Sequence, residues 1–162
     1  MSASPSPQIT VRRITREDAG EVLTVQRAAF MSEALIYGSV DMPPLTQTLE
    51  QLETEIAEND GWVAHAGTRL VGALRAIQDG ELLLIGRIAI APDMQGEGIG
   101  RALLEAAEQG STAAEAELFT GSLSEANIRL YERCGYAESQ RVPQDDGTEQ
   151  VFLRKDLRAS RH

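Results

Sequence analysis

The chain has 162 residues, with 15 Lys and Arg against 25 Asp and Glu, a formal net charge of −10, and 42% hydrophobic residues. That length and mix exclude a disordered polymer and leave enough chain to bury a core without metals or disulfide staples. The acidity excludes a non-specific nucleic-acid binder, which needs Lys and Arg to neutralise phosphates, argues against an anionic membrane surface, and suits small cationic partners such as amines.

Residues 1–8 are rich in Ser and Pro and are expected to be disordered, 9–157 to form one domain, and 158–162 to be a loose tail. Ile9 to Ile14 alternates as a strand. Thr15 then stands as an N-cap with Asp18 three residues on, and a helix follows to about Phe30, with Ala19, Val22, Leu23, Gln26 and Phe30 near a 3.6-residue period. Met31 to Pro44 contains Gly38, Pro43 and Pro44 and reads mostly as loop. Thr46 to about Glu58 reads as a second helix, with Leu49, Leu52 and Ile56 on one face. Gly61–Ala66 and Leu70–Ile77 read as a hairpin, and Glu81 to Ala91 as a long apolar strand ending at Pro92. A helix from Gly98 to about Gly110, a strand at Ala116–Thr120, a helix from Glu125 to Cys134 stopped by Gly135, and strands at Tyr136–Val142 and Gln150–Leu157 complete the chain. This β-α-α-β-β-β-α-β-α-β-β order predicts an α/β (α+β) fold: a mixed, mostly antiparallel sheet of about seven strands flanked by about four helices.

The most informative stretch is Gln95-Gly96-Glu97-Gly98-Ile99-Gly100-Arg101, between the apolar strand and an amphipathic helix. Glycines let main-chain N–H groups turn toward one point and let a ligand come close. The helix N-terminus adds about half a positive charge. Together they make an anion site suited to a pyrophosphate. Three glycines within five residues exceed what a simple helix start requires. A Walker A loop is excluded because no Lys follows, and the dinucleotide fingerprint because Arg101 stands where its last glycine belongs.

About thirty residues on, Ser124 to Tyr136 places Asn127 and Tyr131 four apart on one helical face and ends in Gly135-Tyr136. The hexad Gln95–Gly100 resembles the Gln/Arg-x-x-Gly-x-Gly/Ala signature of the GNAT superfamily of N-acetyltransferases. The Asn127–Tyr131–Gly135 segment resembles that family's second motif. With the matching order of elements, the resemblance covers roughly Ile9 to Leu157.

The resemblance implies the GNAT fold, acetyl-CoA as co-substrate, and transfer of its acetyl group to a primary amine on a small molecule or a protein. Main-chain groups of the strand carrying Ile88 and Ile90 would meet the pantetheine arm, one amide near Ile88 stabilising the oxyanion. Gln95, Gly96, Gly98, Ile99, Gly100 and Arg101 would cradle the pyrophosphate. Asn127 would bind the cofactor or order its helix face, and Arg133 would reach the ribose phosphate. Tyr131 would protonate the departing thiolate. The family's acceptor pocket draws in Glu33 and Tyr37 from the Met31–Pro44 segment; Glu33 is preferred to Glu81, on the long strand, as the base. The family often forms homodimers. The alternatives are a non-catalytic CoA-binding or sensor module of the same fold, which the presence of Tyr131 disfavours, and a nucleotide-binding α/β domain.

His65, between two alanines of a strand, reads as structural, and Cys134 as a buried thiol. One cysteine permits no intrachain disulfide and no cysteine-based zinc site, so no metal is expected. No apolar run approaches the roughly 18–20 residues that span a bilayer. The first residues have no basic or apolar stretch of a secretory signal, so a soluble, cytoplasmic protein is expected.

Overall fold

The apolar run Leu82–Ile90 forms the central strand of a seven-stranded sheet in the computed structural model, which describes residues 8–160. In chain order the elements are β1 (Ile9–Arg13), α1 (Ala19–Tyr37), α2 (Pro43–Thr46), α3 (Leu49–Glu58), β2 (Asp60–Ala66), β3 (Arg69–Asp79), β4 (Leu82–Ile90), α4 (Ile99–Gln109), β5 (Glu115–Gly121), α5 (Glu125–Arg133), β6 (Ala137–Pro143) and β7 (Glu149–Asp156). Short 3-10 turns lie at Arg16–Asp18, Pro92–Met94 and Arg158–Ser160. The strand order is β1-β2-β3-β4-β5-β7-β6, and among the described strands β4 and β5 alone run parallel. The expected mixed, mostly antiparallel sheet of seven strands is what forms.

Alternation along the strands divides the core into two layers. On one face Ile99, Leu103, Leu104 and Tyr131 of α4 and α5 pack with Trp62, Val71, Leu74 and Ile85. On the other, Val22 and Leu23 of α1 and Leu52 and Ile56 of α3 pack with Val63, Leu70, Ala73 and Ala89. Each buried Leu or Val contributes about 1.5–3 kcal/mol relative to exposure.

Several expectations are corrected. The first helix does not stop at Phe30 but runs to Tyr37, where Gly38 closes it with its N–H on the Ala34 carbonyl at 2.8 Å. Nothing between Met31 and Tyr37 breaks a helix, so Glu33 and Tyr37 stand on α1 rather than in a loop. Pro43 and Pro44 open a single turn, α2, instead of preventing one, because a helix's first N–H groups need no internal partner. This raises the helix count among the described residues to five. The next helix starts at Leu49, not Thr46: the Thr48 hydroxyl accepts the Gln51 N–H at 3.2 Å and the Gln51 side chain accepts the Thr48 N–H at 2.9 Å. Leu49 itself is exposed, while Leu52 and Ile56 are buried as expected. Arg158–Ser160, within the tail, forms a 3-10 turn in which the Arg158 N–H donates to Asp156 Oδ1 at 2.9 Å. The expected disorder of the Ser/Pro segment falls on 1–7, outside the described residues, as do 161 and 162 of the tail.

Two irregularities open the centre of the sheet. β4 pairs with β5 only through Leu82–Leu84 against Glu115–Glu117, although β4 runs on to Ile90 and β5 to Gly121. On its other edge β4 carries one residue too many. Ala73 to Arg75 is two steps along β3, while their partners Ala89 to Gly86 are three steps along β4. That β-bulge puts Arg87 at φ 55°, a left-handed conformation unfavourable for any residue with a Cβ. Bulges bend and twist a strand. The far half of β4 thus leaves β5, and its Gly86–Ile90 edge faces a cleft instead of a strand.

Candidate active site

The glycine loop leads from the end of β4 into α4. Gly96 and Gly98 adopt φ 81° and 78°, and a Cβ at either would meet nothing within 4 Å. Gly98 caps α4, whose first internal bond is Ala102 N–H to Gly98 O at 3.1 Å. The N–H groups of residues 98–101 therefore have no acceptor inside the helix, and no side chain caps it. Gln95, Gly96 and Gly98 are exposed, so the loop presents its amides to an incoming anion. Gly100 and Ile99 do different work. A Cβ on Gly100 would stand 2.9 Å from Leu130 Cδ2 and 3.2 Å from Ile90 Cδ1, so the glycine lets α4 close on α5 and β4. The Ile99 side chain is in the core and offers only its main chain to the loop. Arg101 is exposed and donates to the Arg133 carbonyl at 3.2 Å, tying the start of α4 to the end of α5.

Two cavities enter the cleft from opposite sides. One, of about 410 Å3, runs from Pro92 and Gln95 past Ile90 and Leu130. The other, of about 480 Å3, is walled by Tyr37, the Ser39–Pro44 segment, Gly86–Ile88 of β4, Leu118–Gly121 of β5 and the loop before β7. They share Phe30, Glu33, Ile88, Asn127 and Tyr131.

Glu33 is held at this junction by two donors from α5. Ser124 Oγ donates to Glu33 Oε2 at 2.5 Å, and Asn127 Nδ2 to Glu33 Oε1 at 3.2 Å. Asn127 also reaches Thr120 Oγ1 on β5 at 3.4 Å. Ser124 has one proton, and Glu33 takes it, so the 2.9 Å contact between Tyr37 and Ser124 makes the Tyr37 hydroxyl the donor. The Leu123 N–H in turn donates to the Tyr37 oxygen at 3.1 Å. A relay Tyr37–Ser124–Glu33 thus crosses from α1 to α5 and back. Gly121 makes room for it, since a Cβ there would overlap the Tyr37 hydroxyl.

Tyr131 is buried with its ring in the core, and no side chain among the described residues hydrogen-bonds its hydroxyl. Burial pushes the phenol's pKa well up, and the charge of Glu33 and the neighbouring Cys134 push it further. The phenol is a proton donor at any physiological pH. Cys134 is buried, and burial raises its thiol's pKa, which makes it a poor nucleophile.

The structure does not bring Glu81 to this place. It precedes β4 at the end where β4 and β5 still pair, and its carbonyl accepts the N–H groups of Ala114 and Glu115. Distance along a strand separates it from the cleft. Arg133 is exposed and lines neither cavity. His65 lies in β2 opposite Thr10 and Leu70. Among the described residues no group of three His, Cys, Asp or Glu could hold a metal ion, and no helix is long and apolar enough to cross a membrane. The sequence reading missed Phe30 as a wall residue, Thr120 and Ser124. Only Ser124 left a local trace, as a Ser just ahead of a helix.

A family model described as an acetyltransferase (GNAT) domain matches residues 57–138. The UPF0157 protein YqkA of Bacillus subtilis (strain 168) is 26% identical over 130 residues, covering 80% of this chain and 37% of YqkA, so the chain spans little more than a third of that curated relative. The PaiA N-acetyltransferase of Thermoplasma acidophilum, crystallised with coenzyme A, is 18% identical with a TM-score of 0.77 over 92% of this chain and 99% of its own. YncA of Salmonella typhimurium, solved with its cofactor acetyl-CoA, is 16% identical with a TM-score of 0.72 over 92% and 94% of the two chains. At these identities the structural likeness speaks for the fold.

Proposed function

Because the chain belongs to the GNAT family of acetyltransferases, we propose that it moves an acetyl group from acetyl-CoA to a primary amine by direct attack of the amine, with no covalent enzyme intermediate. The observation that carries this reading is the junction of two cavities at Tyr131 and Glu33, inside the divergence of β4 and β5. A site that must bring two substrates together end to end needs two entrances and one meeting point.

The residues fit acetyl-CoA. The free amides and open space at Gly96–Arg101 suit its pyrophosphate, with the α4 dipole adding positive potential. Arg101 stands exposed at the start of α4 for further phosphate charge. The cavity from Gln95 to Tyr131 suits the pantetheine arm, and the unpaired β4 edge at Ile88 and Ile90 offers main-chain partners. The thioester supplies an activated acetyl group and a thiolate leaving group.

The rest is done by side chains and amides of this chain. The Ile88 N–H stabilises negative charge as it develops on the carbonyl oxygen, a role in which one donor is worth about 2.7–4 kcal/mol. Tyr131 gives its proton to the leaving sulfur. Glu33, kept aligned by Ser124 and Asn127, takes a proton from the incoming ammonium. Tyr37 holds Ser124, and so Glu33, from the acceptor side. Asn127 acts through Glu33 and Thr120, its amide being engaged within the protein.

The test is thiol release from acetyl-CoA across a panel of diamines, arylalkylamines, amino acids and peptide N-termini, with CoA binding measured by calorimetry. Release that depends on both the enzyme and one class of amine supports the reading. Saturable CoA binding with no turnover on any amine would make the chain a CoA-binding module, and absent CoA binding would sink the site altogether.

A further inference from the structure

A third cavity, of about 480 Å3, lies on the α3 side of the same divergence and shares the wall Ile85, Gly86, Arg87, Leu118 and Phe119 with the acceptor cavity. Arg75 of β3 lines it and is 3% exposed. Its Nε donates to Glu55 and its Nη2 to Gln26 Oε1 at 2.6 Å, while its Nη1 is buried with no partner among the described residues. A buried guanidinium nitrogen left unpaired calls for an acceptor that the protein does not supply. Burial is the main influence on Arg75 and lowers its pKa; Glu55 opposes this, and the charge of Arg87 adds to the lowering, so the two guanidiniums feel each other.

The two cavities differ in their charge balance. The third cavity is lined by two carboxylates, Glu55 and Glu117, and two guanidiniums, Arg75 and Arg87; Glu55 pairs with Arg75 and Glu117 with Arg154 outside the lining, so Arg87 is the lining cation left without an ion-pair partner among the described residues. Arg87 has no ion-pair or hydrogen-bond partner among the described residues, and the bulge holds it at φ 55°. The acceptor cavity instead carries Glu33, Asp41, Asp146 and Glu149, against Arg87 as its one cation among the described residues. A molecule lying across the shared wall therefore meets a net negative lining at the end near Tyr131 and, at the other, a balanced lining with one unpartnered guanidinium. The Phe119 and Phe152 rings, 5.4 Å apart, give the third cavity an apolar flank.

We propose that the third cavity is the carboxylate subsite of the acyl acceptor, with Arg87 as the contacting cation and Arg75 behind it. The acceptor is then an amino-acid-like molecule with an apolar body: its amine lies toward Tyr131 and Glu33, and its carboxylate passes between Gly86–Arg87 and Leu118–Phe119. This rests on the acetyl-transfer reading and adds to it a class of acceptor.

Calorimetry with 3-phenylpropanoate and its neutral partner 3-phenylpropanamide tests the subsite without turnover, in samples whose CoA affinity is measured alongside. The carboxylate is expected to bind at least tenfold more tightly than the amide. Arg87→Gln removes that preference with CoA affinity unchanged, and Arg87→Lys keeps most of it. In turnover, the ratio of kcat/KM for L-phenylalanine to that for 2-phenylethylamine falls at least tenfold in Arg87→Gln, a ratio that a general loss of folding would not move. Equal binding of carboxylate and amide, or a preference that survives Arg87→Gln, overturns the subsite while leaving acetyl transfer standing. Failure to bind CoA overturns both.

Discussion

Alanine at Gly98 and alanine at Gly100 separate the two uses of the glycine loop. At Gly98 the left-handed φ of 78° costs an alanine about 1–2 kcal/mol, and the new Cβ meets nothing within 4 Å. For a domain of this size that is a drop in Tm of roughly 2–8 °C. The space the methyl enters is the mouth of the amide cradle. Displacing a phosphate from one hydrogen bond to a charged group costs about 1.5–3 kcal/mol. At 1.4 kcal/mol per factor of ten, CoA affinity falls about 10- to 150-fold. Gly100→Ala acts elsewhere, because its Cβ stands 2.9 Å from Leu130 Cδ2 and 3.2 Å from Ile90 Cδ1. Overpacking costs about 1–3 kcal/mol, partly offset by the better helix propensity of alanine, so stability responds first. Scanning calorimetry of the free proteins and titration with CoA give both numbers. Gly98→Ala binding CoA within twofold of the wild type would refute the assignment of the phosphates to this loop.

Tyr131→Phe removes a hydroxyl that has no hydrogen-bond partner among the described residues, so Tm is expected to stay near the wild-type value while turnover falls about 10²–10⁴-fold and CoA affinity holds. Burial raises the Tyr131 pKa, as do Glu33 and Cys134, so wild-type kcat keeps its acid through alkaline pH; a fall of kcat near pH 8–9 that disappears in Tyr131→Phe contradicts this. Glu33→Gln lowers kcat/KM for the amine more than tenfold and leaves CoA affinity alone; full activity at neutral pH would place proton removal elsewhere. Asp18 is held below its ordinary pKa of 3.8, at about 2, chiefly by the Arg12 guanidinium and also by Thr15. Its lowered folded pKa stabilises the protein above the unfolded value, and this is lost as pH falls from about 4 toward 2. Since Arg12 is half exposed, about 1–2 kcal/mol is expected. Urea unfolding should show Asp18→Asn less stable by that amount at pH 7, with the gap closing near pH 2; a constant gap contradicts the pairing.

The parts legible in the sequence are those whose geometry is local. The glycine loop, Tyr131 four residues after Asn127, and Gly135 at the end of α5 each lie within one turn or one helix face. Helix α1 shows where local reading fails. Leu35 is 79% exposed and Ile36 is half exposed, so the apolar period ends at Phe30 although the helix does not. Ser124 and Glu33 meet across 91 residues of chain, and Arg75 meets Gln26 across 49. No window of periodicity contains such pairs. Glu81 erred in the opposite sense: it adjoins the correct strand, but at the end where β4 is still paired with β5.

The same division runs through the site. On the proposed reading the co-substrate half is built from one strand edge, one loop and the helix that follows it, consecutive in the chain from Ile88 to Arg101. The acceptor half is assembled from α1, the Ser39–Pro44 segment, the β4 bulge, the end of β5 and the loop before β7. A buried network fixes that assembly from beneath. Gln26 donates to the Pro44 carbonyl at 2.8 Å and to Gln47 at 3.0 Å, and Arg75 holds Gln26 in place. The Pro43–Pro44 wall of the proposed acceptor cavity is therefore pinned to the sheet by Gln26, Gln47 and Arg75, none of which lines that cavity. If the proposed roles hold, acceptor choice is expected to drift through the walls and their supports while CoA binding stays constant, because the two cavities share only the residues at their junction.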